Sequence, residues 1–386
     1  MESRIIHDKF RGLFDEIPIL VRSPGRINLI GEHTDYNEGL VLPAAIDKEI
    51  VLAVAPANSD TCKLYSVDYE QTFEFKLDEI RKSETSWQNY FLGVLEEIEE
   101  REISIQPFDC VFGGDIPIGG GLSSSAALTC GFAYALNELF ALGLSKLDLV
   151  QIGHQAENNF VGVQCGIMDQ FANIHSRKDH VIKLDCRSLE YELIPFEFRD
   201  ASLLLLDTQI SRDLASSEYN LRRQQCEAGV AEINKIDSRV RSLRDVSPEL
   251  LLEVKPRLDP VIFKRCDYVI REIERVSKAC DSLKQGELDK FGELMYQTHT
   301  GLRNDYEVSC PELDFLVESA QNFSAAIGAR LMGGGFGGCT INLVYKSGAD
   351  EFASQIQRQY QSKFGTTLRI YSAKIESGSS RLYLSS

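Results

Sequence analysis

The chain has 386 residues, 43% hydrophobic and 26% charged, with 11 prolines and 28 glycines. That is a globular composition long enough for two domains and a cleft between them, and it excludes a disordered or collagen-like chain. Its 41 basic and 58 acidic residues give a net charge of −17, which argues against nucleic acid and anionic membranes as partners and makes any anionic ligand a puzzle.

No apolar run approaches the roughly 18 residues of a membrane span, and the start, MESRIIHDKF, lacks the apolar core of a secretory signal. A cytoplasmic chain is expected. Its ten cysteines are widely spaced with no CxxC pair, so reduced, mostly buried thiols are expected too.

Short β-prone runs mark the first half, at Ile19–Arg22, Gly39–Val54, Cys62–Val67 and Phe108–Phe112. Between the first two, RSPGRINLIGEHTDYNEGLVLP gathers Arg26, Glu32, His33 and Asp35 between Gly25, Gly31 and Gly39. Glycines flanking a polar cluster suggest a tight loop that presents side chains into a cleft. A metal site is the first rival reading, but Glu, His and Asp at i, i+1 and i+3 without a second nearby histidine match no standard ligand spacing. Recognition of a hydroxyl-rich ligand needs the same donors and acceptors, and a simple hydrogen-bonded turn remains the bland alternative.

Next, GGDIPIGGGLSSSAALTCGFAYAL reads as strand, glycine loop, three serines and an apolar helix from about Ser124 to Phe140. A glycine loop opening a helix offers free backbone N–H groups and the positive end of a helix dipole, which together bind phosphate. The lysine of a Walker A loop is missing, so serines must supply any side-chain contact to phosphate or metal. Glu157 lies near the end of a further predicted helix, and Asp169 stands among apolar and small residues in CGIMDQF. Asp169 reads equally as a helix cap or as a functional carboxylate kept from bulk water.

Strand-like Val181–Cys186 gives way to polar residues and then to Ser202–Asp207, which places a boundary near residues 186–205 and divides the chain into 1–195 and 196–386. From Ser216 to about Ala320 the pattern is mostly helical, with Tyr219, Cys226, Val230 and Ile233 on one face. Strands return at Gly328–Met332 and Cys339–Tyr345, a helix follows over Asp350–Phe364, and Leu368–Ser372 and Arg381–Leu384 are strand-like. The GxGxxG at Gly333, Gly335 and Gly338 is followed by a strand, not the helix of a dinucleotide fold, and no HRD or DFG triplet supports a protein kinase. It reads as a glycine hairpin able to approach another element closely. Consecutive strands outnumber strand–helix–strand alternation, which predicts α+β domains with antiparallel sheets.

Taken together, GRINLIGEHTDYNEGLVLP, PIGGGLSSSAA and LMGGGFGGC resemble the three motifs of the galactokinases within the GHMP small-molecule kinase family. Shorter echoes such as SWQNYFLGV, ENNFVGVQCGIMDQ, LASSEYNLRRQQC, LRDV and LRNDYEVSCPELD extend the resemblance over most of the chain. It implies a bilobal α+β fold with a ribosomal-protein-like N-terminal domain and a ferredoxin-like C-terminal domain. It also implies transfer of the γ-phosphoryl of MgATP to O1 of α-D-galactose. On the resemblance, Asp169 is the catalytic carboxylate with Arg26 as its cationic partner, and Glu32, His33, Asp35, Gly166 and Tyr219 match sugar contacts. Gly119, Gly120, Gly121, Leu122, Ser123 and Ser124 would hold the triphosphate, Ser125 and Glu157 align with Mg²⁺ ligands, and Trp87 sits where the family stacks adenine.

The implied partners are a small sugar and MgATP, with no nucleic acid or membrane, and a monomer is expected. Rival sugars within the family are N-acetylgalactosamine, arabinose and galacturonate. A non-catalytic galactose and ATP sensor is a further relative, and the intact Ser123–Ala127 segment speaks against it. Two positions depart from the family pattern: Arg212 stands where histidine is usual, and RCDYV places Tyr268 where the family typically has histidine.

Overall fold

The computed structural model describes residues 3–117, 119–196, 200–210 and 215–384; Arg212 lies outside them. Helix α1 (Ser3–Leu13) leads into β1 (Ile19–Asn28), β2 (Leu40–Val41), β3 (Pro43–Pro56), β4 (Cys62–Ser66), β5 (Gln71–Phe75), α2 (Ser86–Glu99) and β6 (Phe108–Gly114). Then come α3 (Ser124–Phe140), α4 (Lys146–Gln155), α5 (Met168–His175), β7 (His180–Asp185), β8 (Tyr191–Pro195) and β9 (Ala201–Asp207). The expected helical stretch comprises α6 (Ala215–Asn234), α7 (Pro248–Val254), α8 (Pro260–Lys284), α9 (Leu288–Asn304) and α10 (Pro311–Gln321). The chain closes with β10 (Ala326–Leu331), β11 (Cys339–Tyr345), α11 (Ala349–Phe364), β12 (Arg369–Ala373) and β13 (Ser380–Leu382).

A six-stranded sheet in the order β13-β1-β3-β6-β4-β5 dominates the first half. Strand β3 is apolar on both faces because both are covered: Val51, Ala53 and Ala55 meet Ile6 and Phe10 of α1, while Leu52 and Val54 face the core with Phe91 of α2 and Phe132 of α3. With a side-chain period of two, that arrangement produces the continuous apolar run seen in the sequence. The strand expected over Gly39–Val54 is split, since β2 pairs with β7 while β3 starts at Pro43, whose missing N–H suits a strand end.

The second sheet runs β10-β11-β9-β12, with α10 and α11 on one face and Phe291 and Met295 of α9 on the other. Proline after Ser247 and after Asp259 fixes the starts of α7 and α8, with each preceding side chain capping the first turn. The last strands part company. Strand β12 lies on β9 in the second sheet, whereas β13 crosses to the first and pairs Leu382 with Leu20. All ten cysteines are reduced thiols, seven of them buried. Among the described residues no helix is long and apolar enough to cross a membrane.

Candidate active site

Strand β1 carries a register shift between Pro24 and Arg26, and such a bulge re-aims the side chain that follows it. Gly25 sits at the shift, where a Cβ would come within 2.7 Å of the Leu122 carbonyl oxygen. With only hydrogen there, the loop ahead of α3 can lie directly on β1, and the Arg26 N–H donates to that same carbonyl at 3.0 Å. The guanidinium turns toward α5. Its Nε donates to Asp169 Oδ1 and its Nη2 to Asp169 Oδ2, both at 2.7 Å, while Nη1 donates to the Gly121 carbonyl at 2.7 Å. One arginine thereby ties β1, the glycine loop and α5 together through a planar fork that lysine cannot reproduce.

Asp169 lies in the first turn of α5, behind Ile167 at the cap position. Its carboxylate pairs with Arg26 and also accepts a short hydrogen bond from Ser123 Oγ, and it lines the cavity. Ser123 itself adopts φ +60°, and Gly119 and Gly121 adopt +77° and +78°. The left-handed conformation costs a non-glycine residue about 1–2 kcal/mol, so Ser123 must be held there, and its bond to Asp169 is one restraint. Behind the loop, α3 buries Ala126, Ala127, Cys130, Phe132, Ala133 and Leu136. A helix buried that thoroughly presents its first-turn N–H groups from a fixed position, which is what anion binding requires.

The polar segment after β1 is held from the other half of the chain. Arg330 on β10 is fully buried; its Nη1 and Nη2 each reach Glu32 Oε1 at 3.1 Å, and its Nε donates to the Leu29 carbonyl at 2.7 Å. Glu32 Oε1 also accepts from the Gly333 N–H at 2.9 Å, so the glycine hairpin between β10 and β11 reaches the polar segment. Glu272, fully buried on α8, accepts from the Gly31 N–H at 2.9 Å. His33 has φ +64° and its ring packs among Tyr36, Tyr219 and Tyr306. Burial, helped by the charge of Arg222, pushes its imidazole down to about 3, so the ring is neutral near pH 7. Burial, and then the charge of Asp169, push Asp35 up to about 7. Gly166 explains how Asp35 fits, because a Cβ at that residue would lie 2.1 Å from Asp35 Oδ2.

Glu157 is placed by a π-helical turn over Ala156–Val161 that continues α4 and ends at Gly162 with φ +95°. Gly93 of α2 makes room for that turn, since a Cβ there would sit 2.9 Å from the Phe160 Cβ. The Glu157 carboxylate is buried and accepts from Gln170 Nε2 at 2.7 Å. Burial, opposed by hydrogen bonds from Ser125 and Gln170 and reinforced by the charge of Asp169, pushes it up to about 7.

A cavity of about 330 Å³ is lined by Arg26, Glu32, His33, Asp35, Gly166, Asp169 and Tyr219, with Gly119, Gly121, Leu122, Ser123 and Ser124 along its rim beside Ser125 and Glu157. Gly120 lies within that loop and stands close to Cys339, at the root of the glycine hairpin. A second cavity of about 460 Å³ shares Tyr90, Ser124 and Ser125 with the first and is lined by Trp87. Trp87 is 6% exposed. Its ring is packed edge-on against Phe73 and Phe91, with Nε1 donating to Gln71 Oε1 at 3.2 Å, so it offers the cavity a margin while most of the ring belongs to the core. The structure thus gathers most of the residues singled out from the motifs around two adjoining cavities, with Gly120, Gly335 and Gly338 outside both linings.

Three sheets, the third being β2-β7-β8, with this helical cover and a glycine loop opening a buried helix make up a fold of the GHMP kinase class. Residues 89–177 match the GHMP kinase N-terminal domain and residues 279–362 the GHMP kinase C-terminal domain. Residues 8–56 match the galactokinase galactose-binding signature. A galactokinase from Thermosipho africanus is 42% identical over 362 residues, 94% of this chain and 99% of the relative. The crystal structure of Lactococcus lactis galactokinase complexed with galactose superposes with a TM-score of 0.94 at 36% identity, covering 98% of this chain and 99% of that one. The Methanococcus jannaschii mevalonate kinase shares the fold alone, with a TM-score of 0.66 at 18% identity. The chain belongs to the galactokinase family of GHMP kinases.

Several residues that build the site carry no motif. Arg330 and Glu272 fall within a strand and a helix of otherwise ordinary pattern. A signal existed for Arg330: a lone arginine inside the apolar run IGARLM must find acceptors if the strand is buried.

Proposed function

We propose that this chain transfers the γ-phosphoryl of ATP to the 1-hydroxyl of α-D-galactose. The observation that carries this reading is Asp169, held in the first cavity by Arg26 and by Ser123 of the glycine loop, next to the Ser124 that both cavities share. In the reaction the sugar O1 forms the new O–P bond, the bridging bond to the β-phosphate breaks, and ADP leaves. Asp169 accepts the hydroxyl proton and orients O1. Arg26 grips that carboxylate through two hydrogen bonds, and its charge lies beside the oxygens on which negative charge develops. A loose phosphoryl-transfer transition state needs alignment and charge stabilisation more than a strong base.

Glu32, His33, Asp35 and Tyr219 supply the donors and acceptors for sugar hydroxyls, and Gly166 leaves Asp35 its place. Burial gives such contacts their discrimination, because a sugar lacking one hydroxyl leaves a buried group unpaired. The backbone of Gly119–Ser124 cradles the phosphates, and the adenine occupies the second cavity against the exposed margin of Trp87.

The residues present fit a divalent cation. Glu157 is a buried carboxylate that burial disfavours in its charged form, and beside it Gln170 Oε1 is buried without a partner among the described residues. One carboxylate and the Ser125 hydroxyl suit Mg²⁺, which keeps most of its own water and phosphate oxygens. When bound it neutralises the charge of the phosphates. The same arrangement answers the puzzle of a −17 chain binding ATP, since backbone N–H groups and a cation do not enter a residue count. A division near residue 195 accords with this reading, because the two GHMP kinase segments fall on either side of it.

The test is ATP-dependent phosphorylation across galactose, N-acetylgalactosamine, arabinose and galacturonate, with product position read by NMR. Galactose 1-phosphate is the expected product. Efficient transfer to another sugar with none to galactose refutes the substrate assignment.

A further inference from the structure

We propose that Tyr268 and Tyr306 form a buried pair that positions the sugar-binding segment, fixing Glu32 through its backbone and His33 through Tyr36. This rests on the reading of that segment as the sugar site. Tyr268 projects from α8 and is 2% exposed, with its hydroxyl donating to the Glu32 carbonyl at 3.1 Å. The slot for its ring is made by Gly301 of α9, where a Cβ would lie 2.7 Å from the ring. The ring packs against Tyr306 with centroids 4.8 Å apart. From Tyr306 a chain of polar contacts runs to the site: its hydroxyl lies 2.7 Å from that of Tyr36, which in turn lies 2.9 Å from His33 Nδ1. The Tyr306 ring also packs against the His33 ring, tilted, with centroids 4.7 Å apart.

Three features make this more than core packing. His33 sits at φ +64°, a conformation that persists in a non-glycine residue only when its surroundings impose it. Among the described residues lining the sugar cavity, none is Tyr36, Tyr268 or Tyr306, so they act through Glu32 and His33 and do not touch the ligand. The residue whose carbonyl Tyr268 holds is itself part of the cavity lining. The pair is therefore a determinant of sugar affinity in this chain, separate from the groups that transfer phosphate.

Tyr268→Phe, Tyr306→Phe and Tyr36→Phe in the full chain remove single hydroxyls while keeping ring shape. Each is expected to raise the galactose KM and the calorimetric galactose Kd roughly 3–15-fold, the net worth of one hydrogen bond, while kcat and the ATP KM stay within about twofold. Thermal unfolding is measured alongside, and a variant that fails to fold leaves the other two to decide. Unchanged galactose KM and Kd in the folded variants overturn the proposal, as does a fall in kcat with KM unchanged. Parallel loss of sugar and ATP binding in variants that remain folded also overturns it, since that marks no selective hold on the sugar segment. A wild-type protein that neither binds nor phosphorylates galactose refutes the substrate reading instead, and the variants are then scored on the sugar it does accept.

Discussion

Replacing Gly166 by alanine tests the sugar site through a single methyl group. The added Cβ would stand 2.1 Å from Asp35 Oδ2, 2.4 Å from its Cγ and 2.9 Å from its Cβ. An ordinary contact begins near 3.4 Å, so the carboxylate must retreat by more than 1 Å, and Asp35 has Asp169 nearby to resist some of the escape. A displacement of that size removes a charge-assisted hydrogen bond to a sugar hydroxyl, worth about 1.5–3 kcal/mol. At about 1.4 kcal/mol per tenfold, kcat/KM for galactose should fall roughly 10–150-fold, mostly through KM. Steady-state kinetics on Gly166→Ala, Asp35→Ala and the double variant make the test. Asp35→Ala removes the two closest clashes, so the added methyl at position 166 should cost little more in that background. If Gly166→Ala is as damaging in the Asp35→Ala background as in the wild type, the steric argument is wrong.

Arg26→Lys keeps the charge but loses two of the three hydrogen bonds made by the guanidinium, and kcat should fall roughly 10²–10³-fold with galactose Kd little changed; near-normal turnover would show that charge suffices. Removing divalent cations with EDTA should stop transfer while calorimetry still detects galactose, and turnover persisting in metal-free buffer would exclude the role given to Glu157 and Ser125. For pH, Asp35 is raised to about 7 from an ordinary 3.8, so its contribution to stability is present below about pH 4 and lost as pH rises through 7. Asp35→Asn removes that titration and should gain stability relative to wild type between about pH 5 and pH 8, on the order of 1–3 kcal/mol for a partly open group. Thermal unfolding of both proteins at the two pH values checks it, and a difference independent of pH would refute the raised value. In the same range galactose KM should climb as pH falls below about 7, because protonated Asp35 loses acceptor capacity.

What the sequence determined by itself was local. Glycines at 119, 120 and 121 before an apolar helix specify a tight turn onto a buried helix start, because the positive φ of Gly119 and Gly121 and the burial of the helix that follows are properties of adjacent residues. Alternating and 3.6-residue patterns likewise located most strands and helices, and the resemblance of three ordered motifs carried the family. Partnership across the chain was not legible. Whether Asp169 capped a helix or served the cleft depended on Arg26, 143 residues earlier, and on a bulge at Gly25 that no pattern announces. Periodicity tells which face of α8 or β10 is buried but not against what, so only the tertiary structure showed Glu272 and Arg330 gripping the segment around Glu32, and Tyr268 behind it. The return of β13 to β1, which takes the last strand out of the second sheet, was equally undecided by composition. A short strand's pairing is chosen by which edge is open and adjacent in space, and that becomes defined only once the rest of the chain has folded.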